Sequence, residues 1–388
     1  MGEIERKPAI RFAGFTEAWE QCELAKFSKI TMGQSPDGTT YSDFPTDYIL
    51  VQGNADIQDG NVVPRIWTTQ ITKTAEPGDI IMTVRAPVGE VGKNSYNIVI
   101  GRGVCALKGN EFLYQYLIGI NESGYWKKLS AGSTFESVNS DAISSVIIKY
   151  PKVYEQNKIG SILLNIDSLI TLHQRKFEAL SNIKKALLEK MFPSNGEVTP
   201  KIRFAGFTEA WEQCELTKLG RIETGNTPST SIEEYYSDTG LLWVTPTDII
   251  SNIIVNTDKK LTTKGIAVAR VIPANSILCT CIASIGKNAF LPVKCAFNQQ
   301  INALTPFENN DPYFLFTNSY HWSQTMKKGA GGLTFQIVNK TEFSNIKTHV
   351  PECVEQKKIG QLFYKLDNLI TLHQRSLFRY NFHSKIIR

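Results

Sequence analysis

Two stretches of this chain are near copies, and each has the pattern of a helix too long for one globule to cover. Residues 155–175 read EQNKIGSILLNIDSLITLHQR and residues 355–375 read EQKKIGQLFYKLDNLITLHQR, an offset of 200. In the first copy Leu163, Ile166, Ile170, His173, Phe177, Leu180, Lys184, Leu187 and Met191 step by three and four. Seven of these nine are apolar, which is a heptad seam. Leu366, Ile370, His373 and Leu377 continue the same seam in the second copy. Pro151 and Pro351 precede the two stretches, and Pro193, Asn195 and Gly196 end the first. The spacing predicts a helix over 155–192, 38 residues and about 57 Å long. Such a helix needs a partner for its apolar stripe, and the second copy supplies one.

A second repeat frames the first. Residues 10–24, IRFAGFTEAWEQCEL, recur letter for letter at 202–216, an offset of 192. The chain is therefore a tandem duplication. Residues 1–150 form a first globular domain with the anchor 10–24, and 151–193 a long helix. Residues 194–350 form a second domain with the anchor 202–216, and 351–388 a second helix. The aromatics Phe12, Phe15, Trp19, Phe204, Phe207 and Trp211 are expected to pack against a long-helix end.

Between the repeats lie two diverged blocks. Each has a Gly-x-Ser/Thr-Pro turn (from Gly33 and Gly225), and a strand-like run (YILV 48–51, LLWV 241–244). Each then has a turn before a strand (77–93 and 273–287), an aromatic helical segment (111–120 and 312–322) and a Gly/Ser/Thr loop (130–139 and 329–339). This mixture predicts a mixed α/β globule in each half.

The composition, 42% hydrophobic and 20% charged, suits a soluble globular protein. No apolar run approaches a membrane span, and the start MGEIERKPAIRF lacks the apolar core of a secretory signal. Seven cysteines without a CxxC pair suggest free thiols and a reducing cytoplasm. Cys279 and Cys281 share a strand face, and an apolar strand SILCTCI suits them better than a metal pair. The net charge of +5 is spread thinly: −3 over 1–150, +2 over 151–200, +2 over 201–350 and +4 over 351–388. No segment has the charge to grip a long duplex alone, so a partner would share the phosphate contacts.

The layout resembles the specificity subunits of type I restriction–modification systems. The resemblance is carried by NQQINAL (298–304), GLTFQIVN (332–339), EQKKIG (355–360) and LDNLITLHQ (366–374). In the first half it is carried by GSTFESVN (132–139) and EQNKIG (155–160). It implies two α/β target-recognition domains separated by two long antiparallel coiled-coil helices with pseudo-two-fold symmetry. It further implies a non-catalytic subunit that binds a bipartite asymmetric double-stranded DNA target. That subunit docks two methyltransferase subunits, and restriction/translocase subunits join them. S-adenosylmethionine, ATP and magnesium would then be bound by the partners, with no cofactor or metal in this chain.

The motifs agree with an absence of chemistry. There is no NPPY or DPPF to hold a flipped adenine. Asn310-Asp311-Pro312-Tyr313 lacks the second proline, and Gly286-Lys287 is followed by Asn288, so no phosphate-binding GxxxxGK[ST] exists. Asp248, Asp258 and Lys260 could be drawn as a nuclease trio, but the first block has no matching set. His173 and His373 fit register-setting seam positions better than a metal role.

Polar loop residues are the candidates for reading base edges. In the first block these are Gln34, Gln52, Asn54, Arg85, Lys93, Ser133 and Thr134. In the second they are Asn226, Thr245, Thr247, Lys287, Gln299, Gln300 and Thr334. Lys127-Lys128 and Lys327-Lys328 fall at equivalent places and suit phosphate contacts. At the 200 offset Arg388 matches Leu188, and SLFRYNFHSKIIR forms helix less willingly than KFEALSNIKKALL, so a weaker C-terminal end is expected. Rival readings are a stand-alone two-headed DNA-binding regulator and a coiled-coil adaptor. Identical anchors with dissimilar heads argue against the adaptor, and near-neutral heads argue against the regulator.

Overall fold

The computed structural model describes residues 8, 10–130, 137–194, 196–282, 284–329 and 337–388, apart from the side chains of 130, 328 and 329. It divides into two compact units, Met1–His173 with Ser376–Arg388, and Gln174–Arg375. Each unit contains one α/β globule and a segment of each long helix.

Both units are built on one plan. In unit 1 strand Ile80–Thr83 lies between Val104–Leu107 and Val91–Lys93, all antiparallel, with Ile30–Met32 beyond. In unit 2 Ser276–Thr280 lies between Ile301–Pro306 and Asn288–Leu291, with Gly220–Thr224 beyond. These central strands are apolar runs buried on both faces, as Ile80, Ile81, Met82, Ile277, Leu278 and Cys279 show. A second sheet in each unit contains a parallel pair: Tyr48–Val51 beside Ile98–Ile100, and Leu241–Val244 beside Cys295–Phe297. Helices Glu111–Glu122 and Pro312–Gly329 cover the first sheet with their aromatics. Both run beyond the segments expected from sequence. Cys279 and Cys281 lie in the unit 2 core, with the Cys279 thiol 3.6 Å from the Met326 sulfur.

The first long helix is Val153–Lys190, 38 residues, starting two residues before the expected Glu155. Its end corrects the sequence reading: Met191 and Phe192 have left the helix and are buried in the unit 2 core. The second runs Cys353–Ile387, 35 residues. In each unit the two helical segments are antiparallel. Unit 1 brings the His173 ring 5.4 Å from Tyr380 and joins Asp167 to Arg388. Unit 2 joins Lys184 to Asp367 and sets the Phe192 ring 6.0 Å from Phe363. The seam follows the heptad spacing. Leu163, Leu366 and Leu377 are buried, and Ile166, Ile170, His173, Phe177, Ile370 and His373 are half-buried, whereas Leu164, Leu172 and Leu372 are exposed.

The stretch expected to be the weaker end is part of the second helix. It stays helical to Ile387, and Arg388 donates to Asp167 (2.6 Å), Gln115 (2.9 Å) and Glu122 (3.1 Å). These charge-assisted bonds tie the end of the helix to helix Glu111–Glu122 and to the first long helix.

Each anchor enters a two-stranded ribbon with the strand that leads into a long helix. Glu20–Glu23 pairs with Ile147–Tyr150, and Glu212–Glu215 with Lys347–Val350. The anchor arginine then reaches the first turn of that helix. Arg11 holds Glu155 at 2.7 and 2.8 Å, and Arg203 holds Glu355 at the same two distances. The aromatics pack as expected, with Phe15 5.9 Å from Tyr154 and Lys358 over Phe207 at 4.9 Å. The arginine–glutamate pairs are not visible in the spacing, although all four residues lie in repeated letters.

Candidate nucleic-acid interface

The candidate loops emerge at the carboxyl ends of the parallel strands, and shared hydrogen bonds fix which positions correspond. Gln34 donates its amide to the Ile100 carbonyl, and Asn226 to Phe297. Gln52 donates its amide to Asp56, and Thr245 to Asp248. Gly101 donates to Val51 and Asn298 to Val244, so Arg102 matches Gln299. Val84 donates to Gly103 and Cys281 to Gln300, while the bridges Arg85–Ser137 and Ile282–Ile337 lie one residue on. One backbone frame thus presents Gln34, Gln52, Arg85 and Arg102 in unit 1. In unit 2 it presents Asn226, Thr245, Ile282 and Gln299.

In unit 1 Gln34, Asn54, Arg85 and Arg102 are exposed and Gln52 is half-buried. The Gln52 side-chain nitrogen is itself covered and has no hydrogen-bond partner among the described residues. A covered, unsatisfied donor is costly in a folded protein. Gly103 is required here, since a Cβ on it would fall 2.0 Å from the Gln52 carbonyl oxygen, and one on Gly101 would press on the Gln52 side chain at 3.0 Å. Nearby, the amide and hydroxyl of Thr39 hold the Asp37 carboxyl below its usual range.

In unit 2 more of the candidates hold the loops. Asn226 donates to the Val268 carbonyl (2.8 Å) and accepts from the Arg270 amide (2.6 Å). The Thr245 hydroxyl meets Asp248 (2.6 Å) and Thr247 (2.7 Å). Gln299 accepts from the Thr227 hydroxyl, and Gln300 accepts from Asn298 at 3.2 Å. Thr247 and Gln299 are exposed. The Asp248–Asp258–Lys260 trio is part of this loop scaffold. Asp248 accepts from the Asp258 amide (3.1 Å), and Lys260 reaches the Asp238 carbonyl (3.1 Å). Asp311 caps its helix by accepting from the Phe314 amide (2.7 Å). Among the described residues, no group of three or more His, Cys, Asp or Glu could hold a metal ion.

The basic candidates fall into two groups. Lys93 is bonded to Glu111 at 2.6 Å and lies 4.5 Å from the Tyr114 ring, so it ties a strand to the covering helix rather than standing free. It is not the counterpart of Lys287, as the segment alignment implies. Gly89 and Gly286 both donate to the carbonyls of Thr83 and Thr280, and Glu90 and Lys287 both accept from those threonine amides, so Lys287 matches Glu90. Lys127 and Lys128 are exposed on helix Tyr125–Ser130, and Lys327 is exposed near the end of Pro312–Gly329. A Cβ on Gly286 would lie 3.1 Å from the Lys327 side chain, which places Lys327 beside the turn that precedes Lys287. Ser133, Thr134, Thr334 and the Lys328 side chain lie outside the described residues. Arg102 was missed from sequence. Its signal was its place between two glycines in a loop that matches the NQQ of unit 2.

Two copies of one α/β head, each bolted to an antiparallel helix pair, with different polar loops on one frame, define a duplicated recognition protein. The model of the type I restriction modification DNA specificity domain matches residues 16–182 and again 208–377. The chain belongs to that family and carries two copies of its domain. It is 32% identical over 197 residues to a putative type I restriction enzyme MjaX specificity subunit of Methanocaldococcus jannaschii, spanning 48% of this chain and 44% of that relative's length. It is 25% identical over 379 residues to the type I restriction enzyme HindI specificity subunit of Haemophilus influenzae, spanning 76% and 82%. The fold is similar to that of a crystal structure of a type I restriction–modification S subunit from M. genitalium. The TM-score is 0.68 and the identity 15%, with 98% of both chains covered. Among the described residues, no helix is long and apolar enough to cross a membrane.

Proposed function

We propose that this chain is the DNA-recognition subunit of a type I restriction–modification complex and does no chemistry itself. Each unit reads one short word of a bipartite, asymmetric duplex target. The observation that carries this is the shared frame with exchanged side chains: Gln34 against Asn226, Gln52 against Thr245, Arg102 against Gln299 and Arg85 against Ile282. Amides pair bidentately with adenine and guanidiniums with guanine, so such exchanges change the word without changing the fold. The weak charge of the heads, −3 over residues 1–150, fits a complex in which partner subunits share the phosphate contacts.

Those partners are two methyltransferase subunits, which bind S-adenosylmethionine and methylate adenine, and the restriction/translocase subunits, which use ATP and magnesium in the cytoplasm. Large apolar side chains left exposed on the helices, among them Leu172 and Phe378, suit such docking. Co-expression with a type I methyltransferase subunit from the same source, followed by single-molecule sequencing, tests the reading. A split methylated motif should appear only when this chain is present. Arg85→Ala with Arg102→Ala should relax one word, and Gln299→Ala only the other. A stable complex without methylation, or relaxation of both words together, refutes it. Replacing Lys327 and Lys328 with Ala should lower the salt slope of DNA binding by roughly one to two.

A further inference from the structure

The two heads, residues 10–150 and 202–350, contain seven arginines. Five of them are held by an oxygen of their own unit. Arg11 meets Glu155, Arg65 meets Asp56 at 3.5 Å, Arg203 meets Glu355, Arg221 meets Glu223 at 3.0 Å, and Arg270 donates to the Thr224 carbonyl. The other two, Arg85 and Arg102, are exposed, and their side chains have no partner among the described residues. Both stand at one place on the shared frame. The antiparallel register pairs Thr83 with Val104, and the Val84 amide continues it by donating to the Gly103 carbonyl at 2.9 Å. One residue further on, Arg85 faces Arg102. In unit 2 the same register pairs Thr280 with Ile301, the Cys281 amide donates to the Gln300 carbonyl at 2.8 Å, and Ile282 faces Gln299.

Like charges on facing strands repel, so this pair is a cost to the fold of unit 1 unless something binds it. The carboxylates of the adjoining loops are committed elsewhere. Asp56 accepts from the Gln52 and Gly53 amides (2.7 and 3.2 Å), and Asp37 accepts from the Thr39 amide and hydroxyl (2.9 and 2.7 Å). The Gln52 side-chain nitrogen, beside Gly101, is one more donor without a partner among the described residues. The place offers donors and calls for acceptors. In the major groove only guanine presents two adjacent acceptors, N7 and O6, and a guanidinium fork meets both. We propose that Arg85 and Arg102 each select a guanine, in neighbouring base pairs, so that the word of unit 1 contains two adjacent G·C pairs. Facing residues of an antiparallel pair lie about 5 Å apart and stacked base pairs about 3.4 Å apart, so the two side chains reach neighbouring pairs. Unit 2 has no such pair of guanidiniums: Ile282 is apolar, and the Gln299 carbonyl oxygen is taken by the Thr227 hydroxyl. The inference rests on the DNA-reading proposal and names bases in one of its two words.

The test maps the methylated motif of the complex formed with a type I methyltransferase subunit from the same source, for the unchanged chain, Arg85→Ala and Arg102→Ala. The unchanged chain should give a split motif with two adjacent G·C pairs in one word. Each variant should relax one of those pairs, with discrimination falling roughly tenfold or more, and leave the other word intact. A split motif with no adjacent G·C pairs in either word overturns the base assignment while the recognition reading stands. Variants that bind every duplex more weakly and keep the motif unchanged would show phosphate contacts, and they overturn it as well. Absence of any split motif removes the recognition reading and this inference with it. Where a variant does not fold, the unchanged complex is titrated with duplexes carrying 7-deazaguanine at each of the two positions. Loss of the N7 acceptor should weaken binding roughly tenfold, and unaltered binding at both positions overturns the proposal.

Discussion

Replacing Lys184 with Met tests whether the helix pair of unit 2 is held by a buried polar node. Asp367 sits on the seam with its side chain 4% exposed and accepts from Lys184 at 2.5 Å, Tyr313 at 2.8 Å and Asn252 at 3.1 Å. Lys184 is itself only 19% exposed. At 2.5 Å and an effective dielectric near 20 the gross attraction is about 7 kcal/mol, and desolvation of both groups takes back much of it. Removing one partner of a buried pair typically costs about 3–5 kcal/mol because the other charge is left behind. Tyr313 and Asn252 still solvate Asp367, so about 2–4 kcal/mol is expected for Lys184→Met. Lys184→Met with Asp367→Leu should recover part of that loss, since the stranded charge is gone. Urea unfolding of the four chains of this cycle, with hydrogen exchange over 174–190 as a local probe, measures the coupling. A loss below roughly 0.5 kcal/mol with no coupling would be that of a solvated surface pair and would refute the argument.

Gly360→Ala should destabilise by about 1–3 kcal/mol, because the new Cβ would lie 2.2 Å from the Asp311 carboxylate that caps Phe314. A lowered urea midpoint with unchanged slope is the readout. Arg203→Ala should cost roughly 3–5 kcal/mol by stranding Glu355, which is fully buried, and Arg203→Lys should recover only part of it because lysine lacks the fork. Calorimetry of each variant decides this. Burial pushes the His321 pKa below its usual 6.5, partly offset by its bond to the Leu188 backbone. The folded state therefore favours neutral His321, and the unfolded chain takes up the proton first as pH falls below 6.5. The midpoint temperature of unit 2 should drop between pH 7.5 and 5.5, and His321→Gln should reduce that slope. His349, shifted the same way by burial, keeps some of it.

The seam was legible because heptad spacing is a direct consequence of helix geometry, and the pattern from Leu163 to Leu187 reappears as the less exposed line of the helix. The doubled architecture was legible because the repeated letters give its order. The loop equivalences were not. Segments 77–93 and 273–287 both close on Gly-Lys, and reading them from that end pairs Lys93 with Lys287. The backbone bonds of Thr83 and Thr280 pair Glu90 with Lys287 instead. Equivalence in a hairpin is set by hydrogen-bond register, which similar letters on the outgoing strand do not report. Arg102 was hidden for the same reason, because only the shared bonds of Gly101 and Asn298 place it opposite Gln299.

The repeated letters make sense as the parts that bolt a head to a helix. Arg11 and Arg203 grip Glu155 and Glu355, and Gln156 and Gln356 both donate to the carbonyl of the proline before their helix, Pro151 and Pro351. Gly160 and Gly360 let the covering helix approach, with a Cβ meeting Glu111 at 2.9 Å or Asp311 at 2.2 Å. Each of these contacts joins a repeated residue to the head or helix of its own unit, so changing one letter strands a buried partner. The positions at the strand ends carry fewer such obligations: Gln34, Arg85 and Arg102 are exposed, although Asn226 and Thr245 also hold their loops. Asp167 and Asp367 show where the constraint stops. The carboxylate is kept at the same seam position, yet its donors are Gln115 and Arg388 in one unit and Lys184, Tyr313 and Asn252 in the other. Asp367 is buried and Asp167 half-buried, and each is satisfied by whichever suitable donor its unit offers. A frame fixed by such obligations leaves its exposed loops freer to diverge, which is the physical condition that the proposed reading of two words by one fold needs.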